Sequence, residues 1–375
     1  MKLNIFLTQT NIYLCGEFLT QSILYFILGQ GLAGTCLAIR FHEKNIPFQI
    51  FDNGYKSSSS IVAAGLWNPI VFRRITKSWR ADELTRSVRS FYPHMESVLG
   101  VSFFHPSENI RFHSSPLERD EWSEKRYDPE FEDYLFATDL LESNLHITKR
   151  ENGYGLVKQT GSINLPVFLN SARSFFKNHG YLISRQIDLP DSVEGMLNYS
   201  IDGMSPERII DCRGSKAATS PWWNYLPFNL SKGEVLTISC PGLNLDNTLN
   251  SGVFVLPLGN DHYRVGATFS WEDINPEPTD TGRNELIEKL EKLIALPFQI
   301  INHQAGLRPS VADRRPLMGS HPACNKLVIF NGLGTKGVML APYFSETLCA
   351  FLVDGKELAH EIDILRFNKR YLKSL

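Results

Sequence analysis

Two kinds of apolar pattern alternate along this chain. The first is a short run, apolar on both sides, followed by glycines and a helical repeat. Ile23–Leu28 is such a run and predicts a strand buried on both faces of a parallel sheet. Gly29-Gln30-Gly31-Leu32-Ala33-Gly34 follows at once. From Leu32 to Asn45 the period turns helical, with Leu32, Cys36, Leu37 and Ile39 inward, and Pro47–Phe51 reads as a second strand closed by Asp52. Related patterns recur in the helix Leu165–Gly180, the strands Tyr181–Ile187 and Arg208–Cys212, and the sequence Leu327–Asn331, Gly332–Gly337 and Val338–Val353.

The second kind is longer and mixed. Arg80–Leu99 has an apolar face of Leu84, Val88, Phe91, Met95 and Val98, with Gly100 as its cap. Strands are expected at Ser102–Phe104, Asn109–His113 and Tyr154–Lys158, and a polar helix at Pro116–Lys125. Glu234–Ser239, Gly252–Pro257 and Tyr263–Phe269 are β-rich, with Gly259-Asn260-Asp261 as a hairpin turn, and Thr281–Leu296 is helical.

The expected fold is α/β: a discontinuous Rossmann-like nucleotide-binding domain with an inserted, mainly antiparallel β-sheet (α+β) substrate domain. The first would hold residues 23–80, 155–220 and 300–375, the second 81–154 and 221–299, after an N-terminal extension of residues 1–22.

The glycine turn carries the first chemistry. Gly29 allows a tight exit from the strand, Gly31 lets a pyrophosphate approach the backbone, and Gly34 lets helix and strand pack closely. The helix N-terminus offers free N–H groups, and Asp52 can accept from ribose hydroxyls. The bland alternative is a tight turn with no ligand. The small, apolar Ala63-Ala64-Gly65 after four serines suits close approach of backbone to a flat ring, or else a buried turn.

Composition narrows the class. A net charge of −2 over 375 residues supplies no basic field for DNA. Six scattered cysteines show no metal spacing and suit a reducing, cytoplasmic setting. No apolar run reads as a transmembrane segment, and residues 1–22 lack the pattern of a signal peptide.

Four further stretches join the first: Ile209–Gly214, Gly233–Leu236, Ala305–Pro309 with Asp313–Gly319, and Asn331–Pro342. In this order they resemble the FAD-dependent oxidoreductases of the D-amino-acid oxidase, glycine oxidase and sarcosine oxidase superfamily. The resemblance implies non-covalent FAD. Its site would comprise Gly29, Gln30, Gly31, Leu32, Ala33, Gly34 and Asp52 at one end. Ala63, Ala64, Gly65 and Gly214 would follow, then Gly332, Leu333, Gly334, Thr335, Lys336 and Gly337 at the flavin ring. Lys336 reads equally as a cation reinforcing the helix end or as a solvated turn residue. Arg308 is implied as the group that binds the substrate carboxylate; the alternative is an arginine pinned to Asp313. The implied activity is removal of a hydride from the C–N carbon of a small amino acid or secondary amine, with oxygen or a redox partner as acceptor. Alternatives are a larger amine such as one on modified tRNA, or a flavin-binding protein without turnover. Arg213 is bulky where relatives have small residues.

Overall fold

The computed structural model describes residues 24–54, 58–138, 146–148 and 151–374. The N-terminal extension and the start of the Ile23–Leu28 run lie outside the described residues. Two sheets organise the rest. In the six-stranded sheet the order is Leu317–His321, Cys324–Asn331, Arg208–Asp211, Tyr25–Leu28, Phe48–Phe51 and Leu182–Ile183. All neighbours pair parallel except the edge strand Leu317–His321. The strands are Val-, Ile-, Leu- and Phe-rich because both faces are covered. Helices Leu32–Glu43, Ala81–Leu99, Leu165–Asn178 and Gly337–Asp354 pack into the core on one face. Trp222, Trp223, Tyr225 and their neighbours cover the other.

The nine-stranded sheet runs Gln299–Arg308, Ser231–Ser239, His262–Gly266, Phe254–Gly259, Thr248–Asn250, Phe104–Phe112, Tyr154–Ile163 and Leu66–Trp67, with Leu135–Ala137 beside Tyr154–Ile163. It is antiparallel except where Thr248–Asn250 meets Phe104–Phe112. Helix Asp280–Glu291 buries Leu286 and Leu290 against it. Asn260 and Asp261 both have positive φ, 51° and 57°, as the expected hairpin between Phe254–Gly259 and His262–Gly266 requires.

Several expectations are corrected. Ser102–Phe104 and Asn109–His113 merge into one strand, Phe104–Phe112, whose register shifts between Ser107 and Asn109, a bulge at Glu108. Tyr181–Ile187 pairs only over Leu182–Ile183, and Val98 is exposed at the end of its helix. Tyr154–Ile163 and Gln299–Arg308, placed by sequence with the nucleotide domain, join the second sheet. The Gln299–Arg308 strand pairs along the whole of Ser231–Ser239, which its polar run Asn302-His303-Gln304 concealed. By length and composition alone Gly334–Asp354 could cross a bilayer, but half of its most apolar window is buried inside the protein. Here Val338–Pro342, Phe344, Leu348 and Cys349 are buried inside the protein, as in a core helix.

Candidate active site

A cavity of about 670 Å³ lies between the sheets, beyond the carboxyl ends of the parallel strands, where ligands of open α/β sheets bind. One end is built by the first glycine turn. Gly29 has φ 97°, and a Cβ there would lie 2.9 Å from the Cys212 carbonyl. A Cβ on Gly34 would fall 1.9 Å from the Gly29 carbonyl, so this glycine serves helix–strand packing. Gly31 is the N-cap, and the Leu32 N–H donates to Ser60 Oγ at 3.2 Å. The serine run therefore reaches the helix N-terminus, a placement that its loop-like composition hid.

Asp52 is held tightly. Its carboxylate accepts from the Gln30 and Gly54 N–H groups at 3.0 and 2.7 Å. Arg173 Nη1 donates to Asp52 Oδ1 at 2.6 Å and to Gln30 Oε1 at 3.0 Å, and Nη2 to the Asp52 carbonyl at 3.0 Å. Sequence reading missed Arg173, since no local pattern links it to a residue so far upstream.

The middle of the cavity is walled by Ala63, Ala64 and Gly65 and, opposite, by Cys212, Arg213 and Gly214. A Cβ on Gly65 would lie 1.9 Å from the Ile163 carbonyl, which binds this segment against the second sheet. Arg264 Nη1 donates to the Ala63 carbonyl at 3.4 Å from the same side. Arg213 has a local explanation: its fork pairs with the fully buried Asp211, 2.9 and 2.7 Å, and Trp223 Nε1 donates to the same carboxylate. Burial pushes the Cys212 thiol well up, which keeps it protonated and a poor nucleophile.

The second glycine turn closes the far side. Leu333, Gly334, Thr335, Gly337 and Val338 line the cavity at the N-terminus of Gly337–Asp354. Asn331 braces it, donating to the Gly214 carbonyl and accepting from the Gly332 N–H. Gln30, Gly34, Gly332 and Lys336 stand behind the lining. Lys336 is not a solvated turn residue: Nζ donates to the Asn68 carbonyl at 3.1 Å, and burial lowers it to about 8.

Arg308 ends its strand inside the cavity. Nη1 donates to the Lys232 carbonyl at 3.1 Å and Nη2 to the Thr268 carbonyl at 3.3 Å, while the Phe269 ring lies 4.2 Å from the guanidinium carbon. Among the described residues no carboxylate pairs with it. Asp313, the alternative partner, pairs with Arg366 instead. Burial lowers Arg308 to about 10, so it stays charged at neutral pH. Gly233 makes the arrangement possible, because a Cβ there would sit 1.9 Å from Arg308 Nη2.

A parallel sheet with a glycine turn, an acid just after the second strand and a cavity at the carboxyl ends of the strands is the architecture of a dinucleotide-binding protein. The particular family follows from comparison. Residues 25–350 match the DAO family model of FAD dependent oxidoreductases, and the chain belongs to that family. Glycine oxidase of Bacillus licheniformis is 30% identical over 142 residues, 37% of this chain and 38% of the relative. The tRNA 5-methylaminomethyl-2-thiouridine biosynthesis bifunctional protein MnmC of Marinobacter nauticus is 21% identical over 360 residues, 86% of this chain and 54% of the relative. These matches thus span less than two-thirds of each relative's length. Glycine oxidase from Geobacillus kaustophilus shares the fold, with a TM-score of 0.73 at 19% identity, covering 92% of this chain and 98% of that one.

The residues present fit FAD. Two helix N-termini face one cavity, an arrangement suited to phosphate groups, and a Cβ at Gly31 would lie 3.1 Å from Ser60 Oγ.

Proposed function

We propose that the protein oxidises the C–N carbon of a small amino acid or secondary amine, with the substrate carboxylate held by Arg308. The observation that carries this is a buried guanidinium, aimed into the cavity and bonded only to neutral carbonyls. A carboxylate on that fork would be fixed in two directions, which orients the neighbouring C–H. FAD, bound without a covalent link, supplies the hydride acceptor. Gly29, Gly31, Leu32, Ala33 and Asp52 would hold its adenosine and pyrophosphate, Ala63–Gly65 and Gly214 its middle, and Leu333–Thr335 and Gly337 its ring. Gln30, Gly34, Gly332 and Lys336 would support these from behind.

Around Arg308 the described lining is Leu230, Gly233, Val235, Phe254, Phe269 and Ile274, with no carboxylate or imidazole. Among the described residues the cavity lining has no imidazole, and its one carboxylate is Asp52, which is bonded to Arg173; on this reading the amine binds unprotonated. Loss of hydride from carbon and a proton from nitrogen gives an imine, which water hydrolyses to the carbonyl product and an amine. The walls exclude water and position the substrate.

The extended match to the MnmC protein favours a second reading, in which the amine is carried on a larger molecule such as modified tRNA. One experiment separates them: anaerobic flavin bleaching across free amino acids and secondary amines, then with modified tRNA. Bleaching by small carboxylate-bearing amines supports the first; bleaching by tRNA alone supports the second. A protein that neither releases nor takes up flavin contradicts both.

A further inference from the structure

Residues 268–279 cross the substrate end of the cavity, between strand His262–Gly266 and helix Asp280–Glu291. Within six positions this strap exposes three large apolar side chains: Phe269 at 48%, Trp271 at 57% and Ile274 at 54%. Phe269 and Ile274 also line the cavity, and Phe269 packs on Arg308. Trp271 continues the surface outward, its ring 5.1 Å from that of Phe269.

The strap is firmly fastened. Lys232 and Ser270 exchange backbone hydrogen bonds at 2.7 and 3.1 Å. The Thr268 N–H donates to the Glu234 carbonyl, and the Glu234 N–H to Thr268 Oγ1. Lys232, almost fully buried, sends Nζ to Asp273 at 2.6 Å. The buried Glu234 carboxylate accepts from Thr279 N–H and Oγ1 at 2.9 and 2.8 Å. A loose loop could fold such side chains inward; this frame holds them out. Apolar groups fixed outward at the rim of a site mark a binding surface.

We propose that Phe269, Trp271 and Ile274 form a subsite for the nitrogen substituent of the substrate, and that this substituent is a flat apolar group. The substrate class is then an N-substituted amino acid with an aromatic arm, its carboxylate on Arg308 and its arm on the strap. This rests on the proposed role of Arg308, since that contact sets where the arm emerges.

The test needs no turnover. Butanoate and 4-phenylbutanoate reproduce the carbon skeletons of N-methylglycine and N-benzylglycine without the reactive nitrogen. Their dissociation constants are read from the flavin spectrum of the holoenzyme, in the wild type and in Trp271→Ala. The subsite predicts that 4-phenylbutanoate binds about tenfold more tightly than butanoate, the order expected for burying one ring, and that Trp271→Ala shrinks this ratio severalfold. Equal binding of the two, or a ratio unmoved by Trp271→Ala, overturns the subsite and leaves the Arg308 reading intact. If neither carboxylate binds, the Arg308 reading falls and the subsite with it.

Discussion

Two arginines mark the two ends of one cavity, and they are bonded in opposite ways. Arg173 meets a carboxylate, with Nη1 2.6 Å from Asp52, and also braces Gln30. Arg308 meets only the carbonyls of Lys232 and Thr268 and the face of Phe269. A guanidinium neutralised by an internal partner has its fork committed and serves to position that partner. One held by neutral acceptors keeps its net charge available to a ligand, at the cost of burying that charge. On the proposed reading, the same residue type is architecture at one end of the cavity and recognition at the other.

The comparison can be broken at several points. The largest effect is expected at the cradle beside Asp52. Gly31→Val places a branched side chain at the helix N-terminus, where a Cβ already approaches Ser60 Oγ at 3.1 Å. The purified variant is expected to be colourless and to take up no added FAD; retained flavin would move the pyrophosphate elsewhere. Next is Gly233→Ala. Its Cβ would occupy the position of Arg308 Nη2 and push the guanidinium aside. Flavin content should persist while the KM for a carboxylate substrate rises roughly tenfold to a hundredfold. Steady-state kinetics on flavin-saturated protein checks this.

Arg173→Met should act at the other end. Removing a charge-assisted bond from Asp52 is expected to weaken FAD binding by roughly tenfold, measured by titrating apoprotein with FAD. An unchanged dissociation constant would deny Arg173 its positioning role.

The smallest effect is in pH. Burial lowers Arg308 to about 10 from the usual 12.5. A depressed cation keeps its charge below that value and loses it above. Butanoate affinity should therefore be flat through neutral pH and fall as pH rises beyond about 10. The same shift means that the folded state bears the cost of the buried charge below this range and is relieved of it above. With an amine substrate, kcat/KM should also rise through the substrate's own amine pKa, because the described cavity lining has no imidazole and its one carboxylate, Asp52, is bonded to Arg173. A lower limb that stays fixed when the substrate amine is changed would point to a protein base.

Much of this architecture was legible in the chain. Gly29, Gly34, Asp52 and Gly65 answer to local geometry, so strand, turn and helix patterns were enough to place them. Arg308 was legible through its motif in company with the second glycine turn. What escaped was made by contacts across long separations. Arg173 reaches Asp52 over 121 positions, and Arg308 reaches the Lys232 carbonyl over 76. The role of Gly233 depends on a side chain from another strand. Lys232 lay outside the expected strand and Glu234 at its start, yet both are buried and fasten the strap over the site. No periodicity reveals a buried ion pair whose partners lie in an irregular segment.

The most direct measurement is anaerobic flavin reduction by N-methylglycine and by dimethylamine, the same amine without a carboxylate, in wild type and Arg308→Ala. The wild type should prefer N-methylglycine strongly. The variant should keep its flavin and lose that preference by roughly a hundredfold or more, as for a buried charged pair broken on one side. An Arg308→Ala protein that retains the full preference would contradict the assignment of Arg308 to the substrate carboxylate.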